Sequence, residues 1–318
     1  MRNRRARRSF AAVSLAGWIL AAAALSAGPA AAQTLKPIPP PEEERLVYDI
    51  SFLIFQSAAV GSLVMKYLPD RGLFEGVVSA RTKGVIGLVS FYRQDTYRSL
   101  MRLSPGGKLI PVEFHREVRT WGYHSTSATV LDYKAGLMRW KSAEVNGDEA
   151  ETEAKSHPIP EGAVYEDFIS AFSNLRRGVY GPIRPGKEIR VLSLPTRNWF
   201  KERRGEPQYF TVKVGDRKVE RDGVSRMMVA ISVPKDLFGQ RVGDIRFHVR
   251  EDNVPSRVLV RKAILFGDVR GLLRSREISQ KALTRDRPPS PGRPGPPQPA
   301  PLTLPTVSGL LHSPDKPL

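Results

Sequence analysis

The sequence predicts a mostly β protein, built as a strongly curved antiparallel sheet or incomplete β-barrel with one covering amphipathic helix. Three observations lead there. About a dozen short segments carry period-two or near-continuous apolar patterning, the signature of strands. Turn signals such as Ser104-Pro105-Gly106-Gly107, Arg221-Asp222-Gly223 and Glu251-Asp252-Asn253 divide them. A single stretch has helical periodicity, so the repeated strand-helix alternation of a Rossmann or P-loop architecture is missing.

The chain opens with Arg2, Arg4, Arg5, Arg7 and Arg8, followed by an apolar run from Phe10 to Leu25 and the small residues up to Ala32-Gln33. A charged start, an apolar centre and a small-residue cleavage site make residues 1–32 a secretory signal peptide. Arg7-Arg8-Ser9-Phe10 partly fits the twin-arginine export signal, so export to the periplasm by the general or the twin-arginine route is expected. Beyond Gln33 no window offers the long uninterrupted apolar run of a membrane helix, so the mature chain is expected to lack a transmembrane segment. Residues 33–44 include Leu35-Lys36-Pro37-Ile38-Pro39-Pro40-Pro41 and predict a stiff extended spacer.

Residues 45–273 carry the strands of the curved β domain. The first are expected at Leu46 to Phe55, Gly61 to Tyr67, Leu73 to Thr82, Gly87 to Arg93 and Thr96 to Leu103. Gly84 to Gly87 between them reads as a turn, and Gly61 and Gly76 as bulges or points of sharp curvature. A hairpin turn leads into Leu109 to Thr120, then Tyr123 to Tyr133 and Leu137 to Lys141. Glu144 to Ser156 is acidic and polar and reads as a surface loop. From Pro160 to Arg177 the period changes: Val164, Phe168, Ile169, Phe172 and Leu175 form one apolar stripe, acidic residues stand near its start and Arg176-Arg177 near its end, and Gly178 can terminate the helix. Phe168 and Phe172 are expected to face the sheet, with Asp167 on the other side. Strands resume at Glu188 to Leu194, Pro207 to Val214, Ser225 to Val233, Ile245 to Arg250, Pro255 to Ile264 and Phe266 to Leu273. Residues 274–318 are rich in proline and basic, which predicts a disordered tail outside the core.

Fifty Lys and Arg against 32 Asp and Glu give a formal charge of +18, and 41% hydrophobic residues suffice for a core. Cysteine is absent, which excludes disulfides, thiolate metal sites and cysteine nucleophiles. No cofactor motif and no nucleic-acid fold signature are present.

The order of landmarks from Leu46 to Leu273 resembles a bacterial periplasmic family called domain of unknown function 3108. The matching features are Tyr48 to Gly61, Leu109-Ile110-Pro111-Val112-Glu113-Phe114 after a Gly-rich turn, Leu131-Asp132-Tyr133, the helix string Tyr165, Asp167, Phe168, Ser170, Ala171, Phe172, Leu175 and Arg176, Gly186 after Arg184-Pro185, and Val254-Pro255-Ser256-Arg257. Phe172 departs from the pattern, where an aromatic hydroxyl is common. The resemblance implies a periplasmic, mostly β fold; the family has no agreed activity and passes on no site residues.

Candidate sites are therefore read from the residues. Arg197, Trp199, Phe200, Arg203 and Arg204 interleave guanidinium groups with aromatic rings, a combination that binds a lipid headgroup or an anionic polymer, or else forms a solvated loop with its rings tucked inward. His115, Glu117 and His124 lie on adjacent strands where they could form a catalytic or metal-binding group, although no H-E-x-x-H spacing or serine elbow supports one. Adjacent apolar residues such as Phe52, Leu53, Ile54 and Phe55 fit either a filled core or a groove. The leading expectation is a nonenzymatic periplasmic envelope-maintenance or ligand-binding protein that holds an acyl chain or amphiphile in a β-sheet groove. The alternatives are a hydrolase or lyase acting on an anionic glycan or peptidoglycan, and a structural adaptor that meets an envelope protein through its tail.

Overall fold

In the computed structural model, residues 37–52, 55–195, 207–220, 222–232, 245–263 and 267–279 are described. Residues 1–32, expected as a signal peptide, Leu53, Ile54, the whole of Arg197 to Arg204 and residues 280–318 lie outside the described residues.

The chain forms two antiparallel meanders. The first runs through β1 (Glu43–Phe52), β2 (Phe55–Leu68), β3 (Leu73–Thr82), β4 (Gln94–Leu103), β5 (Leu109–Thr120), β6 (Tyr123–Asp132), β7 (Leu137–Asn146) and β8 (Glu149–Pro158). The second runs through β9 (Glu188–Leu192), β10 (Tyr209–Val219), β11 (Ser225–Ser232), β12 (Ile245–Val249), β13 (Pro255–Ala263) and β14 (Gly267–Ser279). Pairing of β1 with β14 joins them into one sheet, ordered from β8 back to β1 and then from β14 back to β9. β8 and β9 are its edges, so the barrel is incomplete. The segment between those edges carries α2 (Phe168–Arg176), which lies on the inner face and packs on β3, β4 and β5.

Alternation assigns the inner face. Leu46, Tyr48 and Ile50 of β1 lie opposite Leu63, Gly61 and Ala59 of β2, and the same layer continues through Val78 of β3 and Tyr97 of β4. On the other side it passes through Gly271, Val258, Phe247 and Val229. Three apolar clusters fill the interior. Leu46, Met65, Met101, Leu109 and Ile169 form the first, Met138, Trp140, Tyr165 and Leu194 the second, and Leu175, Ile189, Phe210 and Val229 the third.

Several local expectations are corrected. The acidic stretch expected as a loop is the end of β7 and the edge strand β8, whose alternating Glu, Ala, Thr and Lys side chains are mostly solvated. Such a charged edge resists further strand addition. Gly84–Val89 forms a six-residue helix, α1, in place of a turn and a strand, because Ile86 is buried and Ser90 Oγ donates to Ile86 O at 2.7 Å. α2 begins at Phe168, eight residues after Pro160, because Asp167 caps it: Asp167 Oδ1 accepts from Ile169 N at 2.8 Å and Ser170 N at 3.0 Å. Asp167 is 1% exposed and does not face away from the sheet. The β2–β3 register is unbroken at Gly61 and Gly76, so neither is a bulge. β1 starts at Glu43 and β14 continues to Ser279, both beyond the expected 45–273, because each supplies the other's ladder. Of the spacer, Ile38 exchanges hydrogen bonds with Arg177, donating to its carbonyl at 2.9 Å and accepting from its Nε at 2.7 Å.

Candidate functional site

The position of α2 decides where space is left. A helix of nine residues is about 13 Å long, whereas a ten-residue strand spans about 33 Å. One helix cannot fill the length of the curved sheet. Its C-terminal end is fixed where Arg176 donates from Nη1 and Nη2 to Glu44 at 2.8 and 2.9 Å, and where Asn174 Oδ1 accepts from Leu109 N at 2.9 Å. Beside it, the buried Glu166 carboxylate accepts from Asn174 Nδ2 at 2.7 Å and Tyr180 Oη at 2.5 Å and pairs with Lys108 Nζ at 2.6 Å. At its N-terminal end Ser99 Oγ donates to Asp167 Oδ2 at 2.6 Å. Burial pushes the Asp167 carboxyl above its usual range, against the hydrogen bonds that favour its ionised form. These bonds hold α2 across the interior, with Phe168 edge-on to Tyr97 at 5.1 Å on one side and Phe172 5.7 Å from Phe247 on the other.

Between α2 and the sheet lies a cavity of about 320 Å³. This is far more than the roughly 10–15 Å³ a single water occupies by a comparable measure. Ile50, Val78, Phe172, Phe247, Val260 and Val269 form much of its wall, and the small inner-face residues Gly61, Ala80 and Gly271 leave it open where α2 does not reach. No charged side chain is among the residues described as lining it. Of its polar side chains, Tyr48 donates from Oη to Pro255 O at 3.0 Å, whereas the Ser62 and Ser79 hydroxyls, 2.9 Å apart, belong by alternation to the opposite face of the sheet. Burial, the main influence on Tyr48, pushes its phenol up to about 12, so it stays neutral. Chemically the chamber is an apolar space that presents no carboxylate, imidazole or cation among the described residues.

His115, Glu117 and His124 are elsewhere. On β5, Phe114 belongs to the interior and Val118 is buried, while Glu113, His115, Glu117 and Arg119 alternate on the opposite face. His124 of β6 lies opposite Arg119. The structure brings Glu117 and His124 together, Oε1 to Nε2 at 2.9 Å, with Arg119 on the same carboxylate oxygen. It gives His115 a different partner, Glu113 Oε1 at 2.7 Å. Partial burial acts to raise the Glu117 carboxyl, but the hydrogen bonds from His124 and Arg119 outweigh it and hold it below its usual range. None of the three lines the cavity. His248 is bound to Glu220 at 2.6 Å. Among the described residues no group of three or more potential ligands could hold a metal ion. No described helix is long and apolar enough to cross a membrane.

Arg197, Trp199, Phe200, Arg203 and Arg204 lie outside the described residues, so the cavity is the site the structure offers. Its wall residues were legible only as apolar strand positions; the signal that a chamber exists is the coincidence of Gly61, Ala80 and Gly271 on one inner layer, which requires the strand register to recognise.

No family model matches the chain, and no curated protein matches it. Among solved structures it is similar to a beta-barrel-like protein of domain of unknown function DUF1849 from Brucella abortus, at 12% sequence identity and a TM-score of 0.40. That similarity covers 74% of this chain and 98% of the other.

Proposed function

We propose that the protein is a nonenzymatic ligand-binding or envelope-maintenance protein of the periplasm that holds an acyl chain, or the apolar part of an amphiphile, between α2 and the curved sheet. The observation that carries the reading is the cavity of about 320 Å³, lined by no charged side chain among the described residues and with its Tyr48 hydroxyl already bonded to Pro255 O. An apolar chain entering it leaves no buried polar atom unsatisfied and gains about 0.8 kcal/mol per methylene removed from water. A hydrolase or lyase would instead have to place its substrate at Glu117 and His124, on the far face of the sheet from this chamber.

A fluorescent fatty acid tests the proposal. The wild-type protein should bind it saturably with one site per chain, and Ala80→Phe and Ala171→Phe, which place a ring in the space, should each weaken binding at least about tenfold while circular dichroism keeps its strand signature. Unchanged affinity in both folded variants would overturn the assignment.

A further inference from the structure

The end of the sheet at which β1 turns into β2 carries large apolar side chains that no described residue covers. Val85 and Leu88 of α1 are 64% and 61% exposed, Phe91 and Tyr92 behind it 58% and 51%, and Trp121 in the β5–β6 turn 81%. Single exposed apolar residues are ordinary on a protein surface. Five of them on two connected turns are a patch, and patches mark contact surfaces. A hydrogen bond from Trp121 N to Phe91 O at 3.0 Å ties the two turns together.

The backbone presents these side chains at a cost. Phe91 and Tyr92 have φ values of 54° and 51°, in the left-handed region that bulky residues avoid. Conformations of that kind persist where surrounding contacts impose them, and they gather at working surfaces. Here Ser90 Oγ is held by Ile86 O, and the Tyr92 ring packs so closely over Gly87 that a Cβ there would be 3.0 Å from it. The turn is braced with its apolar groups outward.

The charges beside the patch indicate what covers it. Arg81 and Lys83, immediately before α1, are exposed and pair with no carboxylate among the described residues, whereas Arg93 and Arg119 are matched by Asp95 and Glu117. Asp148 and Glu149 follow Gly147, which is bonded to Gly122 at 3.0 Å, and they bound the patch on its far side. An apolar surface led by tryptophan and tyrosine and flanked by uncompensated cations complements the interfacial zone of a bilayer with anionic headgroups. We infer that this rim is a membrane-docking surface: Val85, Leu88, Phe91 and Trp121 enter the headgroup region of an anionic phospholipid bilayer while Arg81 and Lys83 meet its phosphates. The inference rests on the rim and holds whether or not the cavity takes an acyl chain.

Cosedimentation with vesicles tests it, using the chain from Gln33 so that the apolar leader does not bind on its own; every described residue is retained. Vesicles of phosphatidylcholine alone are compared with vesicles containing phosphatidylglycerol. Wild type should bind the anionic vesicles, and Leu88→Asp and Trp121→Asp should each weaken that binding at least tenfold. Arg81→Gln with Lys83→Gln should weaken it several-fold at low salt and less at high salt. Phe91→Gly suits the left-handed backbone, so it should keep the fold and still lose binding. Wild-type affinity in folded Leu88→Asp, Trp121→Asp and Phe91→Gly would overturn the inference. So would wild type that ignores both vesicle types, including the case in which it forms a dimer that Trp121→Asp dissolves.

Discussion

Gly76 of β3 and Ile169 of α2 are in such close approach that a Cβ on the glycine would stand 2.5 Å from Ile169 Cγ2, and 2.9 Å from Met65 Sδ. The missing side chain is what lets the helix settle onto the sheet. Gly76→Ala should therefore destabilise the protein by about 1–3 kcal/mol through overpacking. Gly271, also on the inner face, has its nearest neighbour, Val258 Cβ, at 3.6 Å from such a Cβ. Gly271→Ala should be neutral or stabilising by up to about 1 kcal/mol. Urea unfolding of the two variants separates a contact requirement from a general preference for glycine, and equal effects would refute the assignment.

Asp167 caps α2 and accepts from Ser99, so its removal should hurt. Asp167→Ala leaves two helix amides and a buried hydroxyl without their acceptor, and a loss of about 2–4 kcal/mol is expected. Asp167→Asn keeps an acceptor oxygen for the amides and removes a buried charge, so it should stay within about 1 kcal/mol of wild type. If the two variants are equally stable in urea, the side chain is not acting as a cap.

These two residues also mark what the sequence could and could not convey. Period-two alternation located Leu73–Thr82 and Leu109–Thr120 to the residue, because one side of each strand faces the interior. The apolar spacing of Phe168, Ile169, Phe172 and Leu175 located the helix, but its start was set by a cap whose partner, Ser99, is on a distant strand. β8 was hidden because an edge strand has little apolar surface to bury, and its pattern of Glu, Thr and Lys resembles a loop. The cavity was hidden for a different reason. Val78, Phe247 and Val260 would have the same hydropathy pattern in a filled core, and only the length of α2 relative to the strands leaves space among them.

Glu44 links acid stability to the junction of the two meanders, where β1 meets β14. Its buried carboxylate receives two bonds from Arg176 and one from Arg276 Nε at 2.9 Å. Burial acts to raise its pKa, but the two arginines outweigh that and hold it below the 4.5 of an unperturbed glutamate. A carboxyl group with a lower pKa folded than unfolded contributes stability that is present above 4.5 and lost as the pH falls through its folded value. Glu44→Gln should cost about 2–3 kcal/mol at pH 7. The difference between wild type and variant should shrink as urea titrations are taken from about pH 6 to about pH 3. Asp167, raised by burial, acts in the opposite direction but is common to both proteins and drops out of the difference. A pH-independent gap would mean that Glu44 is not ionised in the fold.

The last strand sets where the folded region ends. Beyond Arg274, β14 still pairs Ser275, Arg276, Glu277, Ile278 and Ser279 with the first residues of β1. Arg276 there reaches both Glu44 and Asp252, the latter from Nη1 at 2.9 Å. A chain ending at Arg274 loses that ladder, strips one cation from a buried carboxylate and leaves the start of β1 without its neighbour on one side. It should lose more than about 3 kcal/mol relative to a chain ending at Gln280, since charge-assisted bonds alone contribute about 1.5–3 kcal/mol each. Arg276→Gln in the full chain keeps the ladder and removes the charge, so it should fall between the two. Chemical denaturation of the three proteins at one pH orders them, and equal midpoints for the chains ending at 274 and 280 would show that β14 stops contributing before Ser275.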